Sequence, residues 1–364
     1  MSKKKLILFT LPNLNGGGAE RVIVNILNSL DEKKFDRHLF LAQNTGIYFK
    51  TLSSSVTLHV NNFRKTLLSF FSLRKSIVKT KPKIIFSTTH RMNLLVILVT
   101  LILREKYITV LRLPNSPKLE IENKQLSFLE ILLYRYAYNK ATYIVAQTPE
   151  MLEEIKIFFH VKEEKIKLFL NPIDKKLIDK STQNIKNPFD KDFINVVAAG
   201  RLTHQKGFDT LIQSFKYVVE QNPNFRLYII GKETNKEYVR KLKNLIISFQ
   251  LKSSIFLLGF QENPYRYFYY CDLYVLSSRW EGLPNTVLEN LYLKKTIVAT
   301  KCIPFMETLI EDKKTGLLVD VEQPKALANA ILNYKCIKAE KSLINDNVDV
   351  FFETILKEHL YEKK

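Results

Sequence analysis

Glycine is scarce in this sequence, and histidine and cysteine are scarcer still. The 364 residues contain ten glycines, six histidines and three cysteines. Cys271, Cys302 and Cys336 are too few and too widely spaced for a disulfide framework or a zinc site, which indicates a reducing, cytoplasmic environment. The longest apolar run, 94–103, is about half the length of a membrane span, so we expect a buried helix there and no transmembrane segment. The apolar run near the start is too short for a signal peptide.

What the sequence does contain is typical of a folded α/β protein. An apolar content of 46% with 25% charged residues describes a soluble chain long enough for two domains. Short β-branched or apolar runs alternate with helical patterns, which predicts parallel sheets wound by helices. The predicted strands are 6–10, 84–87, 108–111, 143–146, 194–199, 227–230, 255–258, 273–276 and 296–300.

A polar stretch with two prolines over residues 174–192 interrupts this alternation and predicts a linker. We therefore expect a first domain over 1–178 and a second over 179–347. The final stretch, 348–364, is predicted to be an amphipathic helix that packs back on the first domain.

Positive charge is concentrated in the first half of the chain. The net charge is +20, and residues 1–180 hold 30 Lys+Arg against 15 Asp+Glu, with eight basic and no acidic residues in 51–100. Segment 63–83 interleaves basic with large apolar residues, as in a helix that lies on an anionic membrane surface. An ordinary amphipathic helix fits the segment equally well. Nucleic acid is not expected as a partner, because no nucleic-acid-binding motif is present.

Glycines mark the ends of the predicted strands, where ligands bind in open parallel sheets. The turn LPNLNGGGAERV could direct backbone N–H groups of Gly17 and Gly18 at a phosphate. It lacks both the Walker lysine and the dinucleotide-binding spacing, so a tight turn before a packed helix explains it equally well.

Two later segments carry charged residues at strand ends. In AAGRLTHQKGFDTLI, Arg201 and Lys206 can converge on one anionic group such as a diphosphate, although a structural salt bridge is an alternative. In WEGLPNTVLEN, Glu281 precedes a loop that Gly282 and Pro284 keep irregular, and Glu289 falls in the second turn of the helix that follows. The free N–H groups of such a loop can bind sugar hydroxyls or phosphate.

These motifs together resemble a known family. GGGAER, GRLTHQKGFDTLI, LLGF, EGLPNTVLE and TGLLV occur in the order seen in glycosyltransferase family 4 and span nearly the whole chain. The resemblance implies the GT-B fold, in which two Rossmann-like α/β domains with parallel sheets face each other across a cleft. It also implies a retaining transferase that uses a nucleotide sugar, UDP-linked, as co-substrate and needs neither a metal ion nor another cofactor.

The resemblance also implies roles for individual residues. Arg201 and Lys206 would neutralise the donor diphosphate, and Glu281 would hold the transferred sugar. The donor would further contact Gly17 and Gly18 from the other domain and, in the second half of the chain, Gly282, Leu283, Pro284, Asn285, Thr286 and Glu289. Fixed cations and helix N-termini would stabilise the charge of the leaving diphosphate, which takes the acceptor's proton.

The first half departs from the family pattern near the acceptor. Family members often place a histidine after a strand like 108–111, where this chain has RLPNS. Arg112, Asn115 and, from STTHRMN, His90 are the candidates for the sugar or acceptor side. A histidine satisfied by its neighbours is the alternative explanation of His90. The only Asp-x-Asp pair, Asp190 and Asp192, is interpreted as surface charge.

We therefore expect a hexosyltransferase at the inner face of the cytoplasmic membrane. It would transfer a hexose or N-acetylhexosamine to a lipid-linked glycan in bacterial O-antigen, capsule or lipopolysaccharide assembly, and its basic half would meet anionic lipid. A nucleotide-sugar epimerase of the same architecture is the first alternative, although no histidine pair for acid–base chemistry is recognisable. A non-enzymatic polyanion-binding protein is the second.

Overall fold

The chain forms two compact α/β units in a computed structural model that describes residues 4–103, 105–336 and 347–361. The first unit runs from residue 4 to Asp174 and also contains the C-terminal helix, Val348–Tyr361. The second unit begins at Lys175. Part of the second predicted domain, 337–346, lies outside the described residues.

The first unit is built on a seven-stranded sheet. In chain order its strands are β1 Lys5–Leu11, β2 Phe35–Leu41, β3 Thr57–Val60, β4 Ile84–Thr88, β5 Ile108–Arg112, β6 Tyr143–Ala146 and β7 Ile166–Leu168. They lie in the order β3-β2-β1-β4-β5-β6-β7, and every neighbouring pair is parallel. β4 and β5 are buried along their whole length, as expected of parallel strands covered on both faces.

Helices cover both faces of this sheet. They are α1 Gly18–Ser29, α2 Phe70–Thr80, α3 His90–Ile102, α4 Pro117–Glu122, α5 Phe128–Lys140 and α6 Pro149–Phe159. Alternate residues of β1 point to opposite faces, so Phe9 packs in a core with α1 and the C-terminal helix while Leu8 packs in a core with α2, α3, α5 and α6.

The second unit has a six-stranded parallel sheet. Its strands are β8 Ile194–Ala199, β9 Phe225–Ile230, β10 Ile255–Gly259, β11 Leu273–Leu276, β12 Ile297–Thr300 and β13 Gly316–Val319. They lie in the order β10-β9-β8-β11-β12-β13. The helices of this unit are α7 Lys175–Thr182, α8 Phe208–Gln221, α9 Lys236–Ser248, α10 Tyr265–Tyr270, α11 Asn285–Tyr292, α12 Met306–Leu309 and α13 Pro324–Leu332.

The predicted α/β class with two parallel-sheet domains is confirmed, as are all nine predicted strands. Four strands were missed: β2 carries charged residues, β3 and β7 are short edge strands, and β13 begins with a glycine. Segment 174–192 is not wholly irregular, because α7 occupies its first part. The helix expected at 94–103 is α3, which is buried over 92–97 and exposes Leu98, Leu101 and Ile102 at its C-terminal end.

The C-terminal helix is part of the core of the first unit. The ring of Phe352 is fully buried and lies 5.8 Å from Phe9, 5.6 Å from Phe86 and 6.3 Å from Phe35 between ring centroids. Strands β1, β2 and β4 therefore share an aromatic contact with the C-terminal helix, which completes this part of the core.

We expect Phe352→Ala to lower the free energy of unfolding of the first unit by about 3 to 5 kcal/mol, because it leaves a cavity among three rings. Chemical denaturation monitored by circular dichroism measures the effect. Val350→Ala is the matched control, since Val350 is 55% exposed on the same helix and should change stability by less than about 0.5 kcal/mol. Equal effects of the two substitutions would contradict a core role for the helix.

Candidate active site

The centre of the second sheet brings two loops together. β8 and β11 are parallel neighbours, although β9 and β10 lie between them in the sequence. The strand order reverses at this pair, and in open α/β sheets such a switch point leaves a crevice at the carboxyl ends of the strands. The loops that follow β8 and β11 carry Arg201, Lys206 and Glu281.

The loop after β8 is held tightly against the loop after β11. It contains a 3-10 turn, His204–Lys206, and then Gly207 with a φ of +61°. A Cβ at Gly207 would lie 2.0 Å from the carbonyl oxygen of Ser277, so only glycine fits. The hydroxyl of Ser277 donates to the carbonyl of Lys206 at 2.9 Å. These contacts fix the backbone from which the Lys206 side chain extends.

The loop after β11 contains the carboxylate of the site. Glu281 is buried, and its Oε1 accepts hydrogen bonds from Lys206 Nζ and, at 2.6 Å, from the hydroxyl of Ser278. Among the described residues, no hydrogen bond or ion pair to its Oε2 is found. The same loop leads into α11, which no side chain caps and whose second turn carries the fully buried Glu289. Gly282, Leu283 and Pro284 are buried between the two glutamates, and Asn285 and Thr286 are half-buried.

Arg201 and Lys206 differ more than their sequence pattern indicated. Lys206 forms an ion pair with Glu281, so the salt-bridge interpretation holds for it. Its ammonium group has three donors, and the pair with Glu281 leaves others for a ligand. Arg201 is exposed, and among the described residues its guanidinium forms no hydrogen bond or ion pair. The Arg201 guanidinium is therefore available to a ligand, whereas Glu281 already holds the Lys206 ammonium in place.

Arg279 organises both loops and was not predicted from the sequence. Its backbone N–H donates to Gln205 at 2.8 Å, and its guanidinium donates to the carbonyl of His204 at 2.6 Å. The same guanidinium binds both carboxylate oxygens of Asp209 in the first turn of α8 at 2.9 and 3.2 Å. Arg279 thus couples the Lys206 loop to the Glu281 loop. The signal available in the sequence was only its place two residues before Glu281.

Asp209 is an ionised carboxylate at the base of this arrangement. Burial acts to raise the pKa of Asp209, but hydrogen bonds from Arg279, Lys241 and Tyr238 outweigh it and hold that pKa well below its usual range. The Lys241 and Tyr238 contacts are 2.7 and 2.8 Å long. The site framework therefore depends on a buried negative charge that three donors stabilise.

The first unit has an analogous switch point between β1 and β4. The predicted Gly17 and Gly18 follow β1, and Gly17 is the N-cap of α1, whose N-terminus has no side-chain cap. A Cβ at Gly17 would lie 2.1 Å from a carboxylate oxygen of Glu20. The Glu20 side chain therefore folds back over this helix terminus.

His90 and Asn115 meet through a carboxylate that the sequence analysis missed. His90 starts α3 directly after β4, and its Nε2 lies 2.7 Å from Glu120 Oε2, while Asn115 Nδ2 donates to Glu120 Oε1 at 2.8 Å. His90 Nδ1 also contacts the hydroxyl of Tyr138, and its ring stacks on Tyr134 at 4.8 Å. We call His90, Asn115 and Glu120 the His90 cluster. Its members lie in the first unit at the carboxyl edge of the sheet.

Arg112 does not lie open to a ligand as expected. It is the last residue of β5 and is 2% exposed, and it donates to Thr88 at 3.2 Å and to Asn171 at 2.8 Å. Burial without a carboxylate partner lowers the pKa of Arg112 to about 9. Its guanidinium is occupied inside the unit, where it joins the end of β4 to the segment after β7.

Neither a metal-binding cluster nor a membrane-spanning helix is found in the described part of the chain. No group of three or more His, Cys, Asp or Glu side chains there could hold a metal ion. Asp190 and Asp192 are both exposed. No helix over residues 4–103, 105–336 and 347–361 combines the length and the hydropathy of a transmembrane span.

Comparison with known proteins identifies two consecutive family matches. The model described as Glycosyltransferase Family 4 matches residues 16–177, and the model described as Glycosyl transferases group 1 matches residues 179–347. Together the two matches cover nearly the whole chain.

Several relatives are glycosyltransferases. An uncharacterised glycosyltransferase of Methanocaldococcus jannaschii is 34% identical over 252 residues, which are 65% of this chain and 60% of the relative, so the chain matches less than two thirds of that protein. The N-acetylgalactosamine-N,N'-diacetylbacillosaminyl-diphospho-undecaprenol 4-alpha-N-acetylgalactosaminyltransferase of Campylobacter jejuni is 25% identical over 89% of this chain and 88% of its own length. Anabaena HepE in complex with UDP-glucose superposes with a TM-score of 0.74 at 21% identity, covering 90% of this chain and 88% of HepE.

We expect Asp209→Asn to destabilise the second unit at neutral pH by about 2 kcal/mol, because the half-buried Arg279 loses its bidentate partner and keeps Glu322 as its carboxylate partner. The pKa of folded Asp209 is depressed, so its stabilisation is complete above the ordinary aspartate pKa of 3.8 and is lost as the pH falls towards the folded value. The difference in unfolding free energy between the wild type and this variant should therefore shrink below that pH.

Urea denaturation over a pH series measures the difference. The exposed Asp192→Asn in the same unit is the control and should show a small difference at every pH. A difference for Asp209→Asn that stayed constant with pH would show that the carboxylate charge is not what stabilises the loops.

Proposed function

The chain belongs to glycosyltransferase family 4 and has the GT-B fold, and from this premise we propose the reaction that its site performs. The chain is a glycosyltransferase. It transfers a hexose or N-acetylhexosamine from a UDP-sugar to a lipid-linked glycan, with retention of anomeric configuration and without a metal ion. The product is a bacterial surface polysaccharide or a precursor of one.

The proposal is carried by the Lys206–Glu281 pair at the switch point of the second sheet. Departure of a nucleoside diphosphate from the sugar builds negative charge on the leaving oxygen. The ammonium of Lys206, the guanidinium of Arg201 and the uncapped N-terminus of α11 supply positive potential in one region of one unit. Because Glu281 already holds Lys206, this cation needs little reorganisation when the charge develops.

Glu281 has a second task in this proposal. Its Oε1 is committed to Lys206 and Ser278, and its Oε2 is left to accept a hydrogen bond from a hydroxyl of the transferred sugar. Glu289, in the second turn of α11, accepts hydrogen bonds from the ribose hydroxyls, and the backbone from Gly282 to Thr286 contacts sugar and phosphate. The leaving phosphate takes the acceptor's proton.

We assign acceptor recognition to the His90 cluster. Its histidine and amide are tied to one carboxylate, which fixes their orientation towards the carboxyl edge of the first sheet. A lipid-linked acceptor is supported by the name of the Campylobacter relative, which acts on a diphospho-undecaprenol-linked sugar. The enzyme then works in the cytoplasm at the inner face of the membrane that carries the acceptor.

We expect UDP or a UDP-sugar to raise the melting temperature of the wild type, and Arg201→Ala to abolish the shift. A ligand at ~100 times its Kd adds about 2.7 kcal/mol to stability. Arg201 is exposed and its guanidinium has no partner among the described residues, so without ligand the variant should melt at the same temperature as the wild type. Arg240→Ala, another exposed arginine of the same unit, is the control that should keep the nucleotide shift.

A panel of nucleotides and nucleotide sugars measured by differential scanning fluorimetry tests this expectation. A shift that survives in Arg201→Ala would remove Arg201 from the donor site. No shift with any nucleotide, combined with unchanged behaviour of Glu281→Ala, would favour the polyanion-binding alternative. Conversion of a UDP-sugar to its epimer without an acceptor would favour the epimerase.

Turnover should yield a product with the anomeric configuration of the donor. Chelation of divalent metals should leave the rate within about twofold of the untreated rate, because fixed cations take the place of a metal. The purified enzyme with a UDP-sugar, a lipid-diphosphate-linked glycan and EDTA provides both readings, by proton NMR of the new glycosidic bond and by the rate of UDP release. An inverted product, or a rate restored only by added Mg²⁺ or Mn²⁺, would overturn the corresponding part of the proposal.

A further inference from the structure

Helix α5 of the first unit exposes an apolar stripe to solvent. Its buried face is formed by Tyr134, Ala137 and Tyr138. The opposite face is also apolar, and its members recur at spacings of one and four residues along one side of the helix. They are Phe128, Leu129, Leu132, Leu133 and Tyr136, which are 77%, 64%, 41%, 42% and 48% exposed. A surface helix in water ordinarily turns polar residues outward, so this face lacks its partner.

A second apolar group lies across α3 from α5. Helix α3 packs against α5, against α2 and against the 3-10 turn Thr66–Ser69 that precedes α2. Its residues 92–97 are all buried, so these neighbours cover it from both sides. On the α2 side, Leu67, Leu68 and Phe71 are 47%, 59% and 79% exposed. We call these three residues and the five of α5 the apolar patch.

Basic side chains border the apolar patch on the α2 side. Arg64, Lys65, Arg74, Lys75 and Lys79 are all exposed, and no ion pair with a described residue is found for any of them. Residues 51–100 contain no acidic residue. The one acidic side chain of α5, Glu130, is held by the Ser127 capping box. The surface therefore combines exposed large apolar side chains with uncompensated positive charge.

This combination matches the interface of an anionic bilayer. Apolar side chains insert at the boundary between headgroups and acyl chains, while lysine and arginine contact lipid phosphates. We propose that the apolar patch docks the first unit on an anionic membrane, with α5 and the start of α2 inserted and the basic border of α2 on the headgroups. That docking serves to reach a lipid-linked acceptor rests on the proposed function, whereas membrane binding by the apolar patch does not depend on that function.

Docking through the apolar patch would place the His90 cluster close to the membrane. In a parallel α/β unit a helix starts at the edge where the preceding strand ends. Phe71 and Phe128 stand at the starts of α2 and α5, and His90 starts α3 between them. The His90 ring stacks on Tyr134, on the inner face of the helix whose outer face is exposed, and Arg91 lies 3.9 Å from Glu130 of α5. A glycan linked to a lipid in the docked membrane would therefore start beside the His90 cluster.

Co-sedimentation with vesicles tests the proposal. The wild type should bind vesicles of phosphatidylglycerol and phosphatidylcholine and bind phosphatidylcholine alone much more weakly. The double variant Phe128→Ser with Leu129→Ser should weaken vesicle binding by about tenfold or more, because it removes two large apolar side chains that would transfer from water into the bilayer. Ile157→Ser is the matched control: Ile157 is 62% exposed on α6 of the same unit and should leave vesicle binding unchanged.

The charge border is tested separately. Arg74→Glu with Lys75→Glu should weaken binding to the anionic vesicles by about tenfold or more and flatten its salt dependence. Lys252→Glu, an exposed lysine of the second unit, is the control. Insertion is read with Phe128→Trp, whose added fluorescence should shift to the blue and be quenched by brominated lipid, whereas Ile157→Trp should show neither change.

The outcomes separate docking from catalysis. The docking proposal is overturned if the wild type does not bind vesicles. It is also overturned if Ile157→Ser weakens vesicle binding as much as the α5 double variant does. A change of oligomeric state in the α5 variant without loss of vesicle binding assigns the patch to a second copy of the chain and also overturns it. The nucleotide-dependent melting shift should persist in every patch variant. If vesicles bind while no nucleotide does, the docking stands and the proposed function fails.

Discussion

The parallel pairing of β8 with β11 is the constraint on which the candidate active site depends. These strands are separated in the sequence by two complete strand–helix units, and their pairing sets their two loops side by side. Lys206 and Glu281, 75 residues apart, form an ion pair only because of it. The approach is so close that Gly207 meets the carbonyl of Ser277, and any side chain there would push the loops apart. The sheet therefore positions Lys206 and Glu281 before any ligand binds.

The buried charges in this unit are better explained by positioning than by stability. Removing an ammonium and a carboxylate from water costs several kcal/mol per ion, and replacing such pairs with apolar residues is often neutral or stabilising. The second unit nevertheless keeps Lys206 with Glu281, and Arg279 with Asp209, at one edge of its sheet. Each pair joins one loop or helix start to another. The charges thus fix the geometry on which our proposed stabilisation of a leaving diphosphate depends.

The two units present different surfaces at the carboxyl edges of their sheets. The second collects positive charge and a helix N-terminus without a side-chain cap at one sheet edge, as our proposed nucleotide site requires. The first leaves an apolar helix face exposed beside a polar cluster, as our proposed lipid-linked acceptor requires. An exposed face such as that of α5 gives up burial that would otherwise stabilise the unit. On the opposite side of the sheet, Phe352 of the C-terminal helix is buried in the core with β1, β2 and β4.

The sequence by itself determined the α/β class, the central strands and the identities of Arg201, Lys206, Glu281 and Glu289 as site candidates. These follow from local patterns: apolar runs of strand length, glycines at their ends, and charged residues directly after them. The sequence could not show which side chains form hydrogen bonds with one another. Glu120 joins His90 to Asn115, Arg279 joins the loops after β8 and β11, and Arg112 turns inward, each through contacts that the local sequence pattern does not show. Only the tertiary structure decided these, because strand order brings segments together and sequence spacing does not encode strand order.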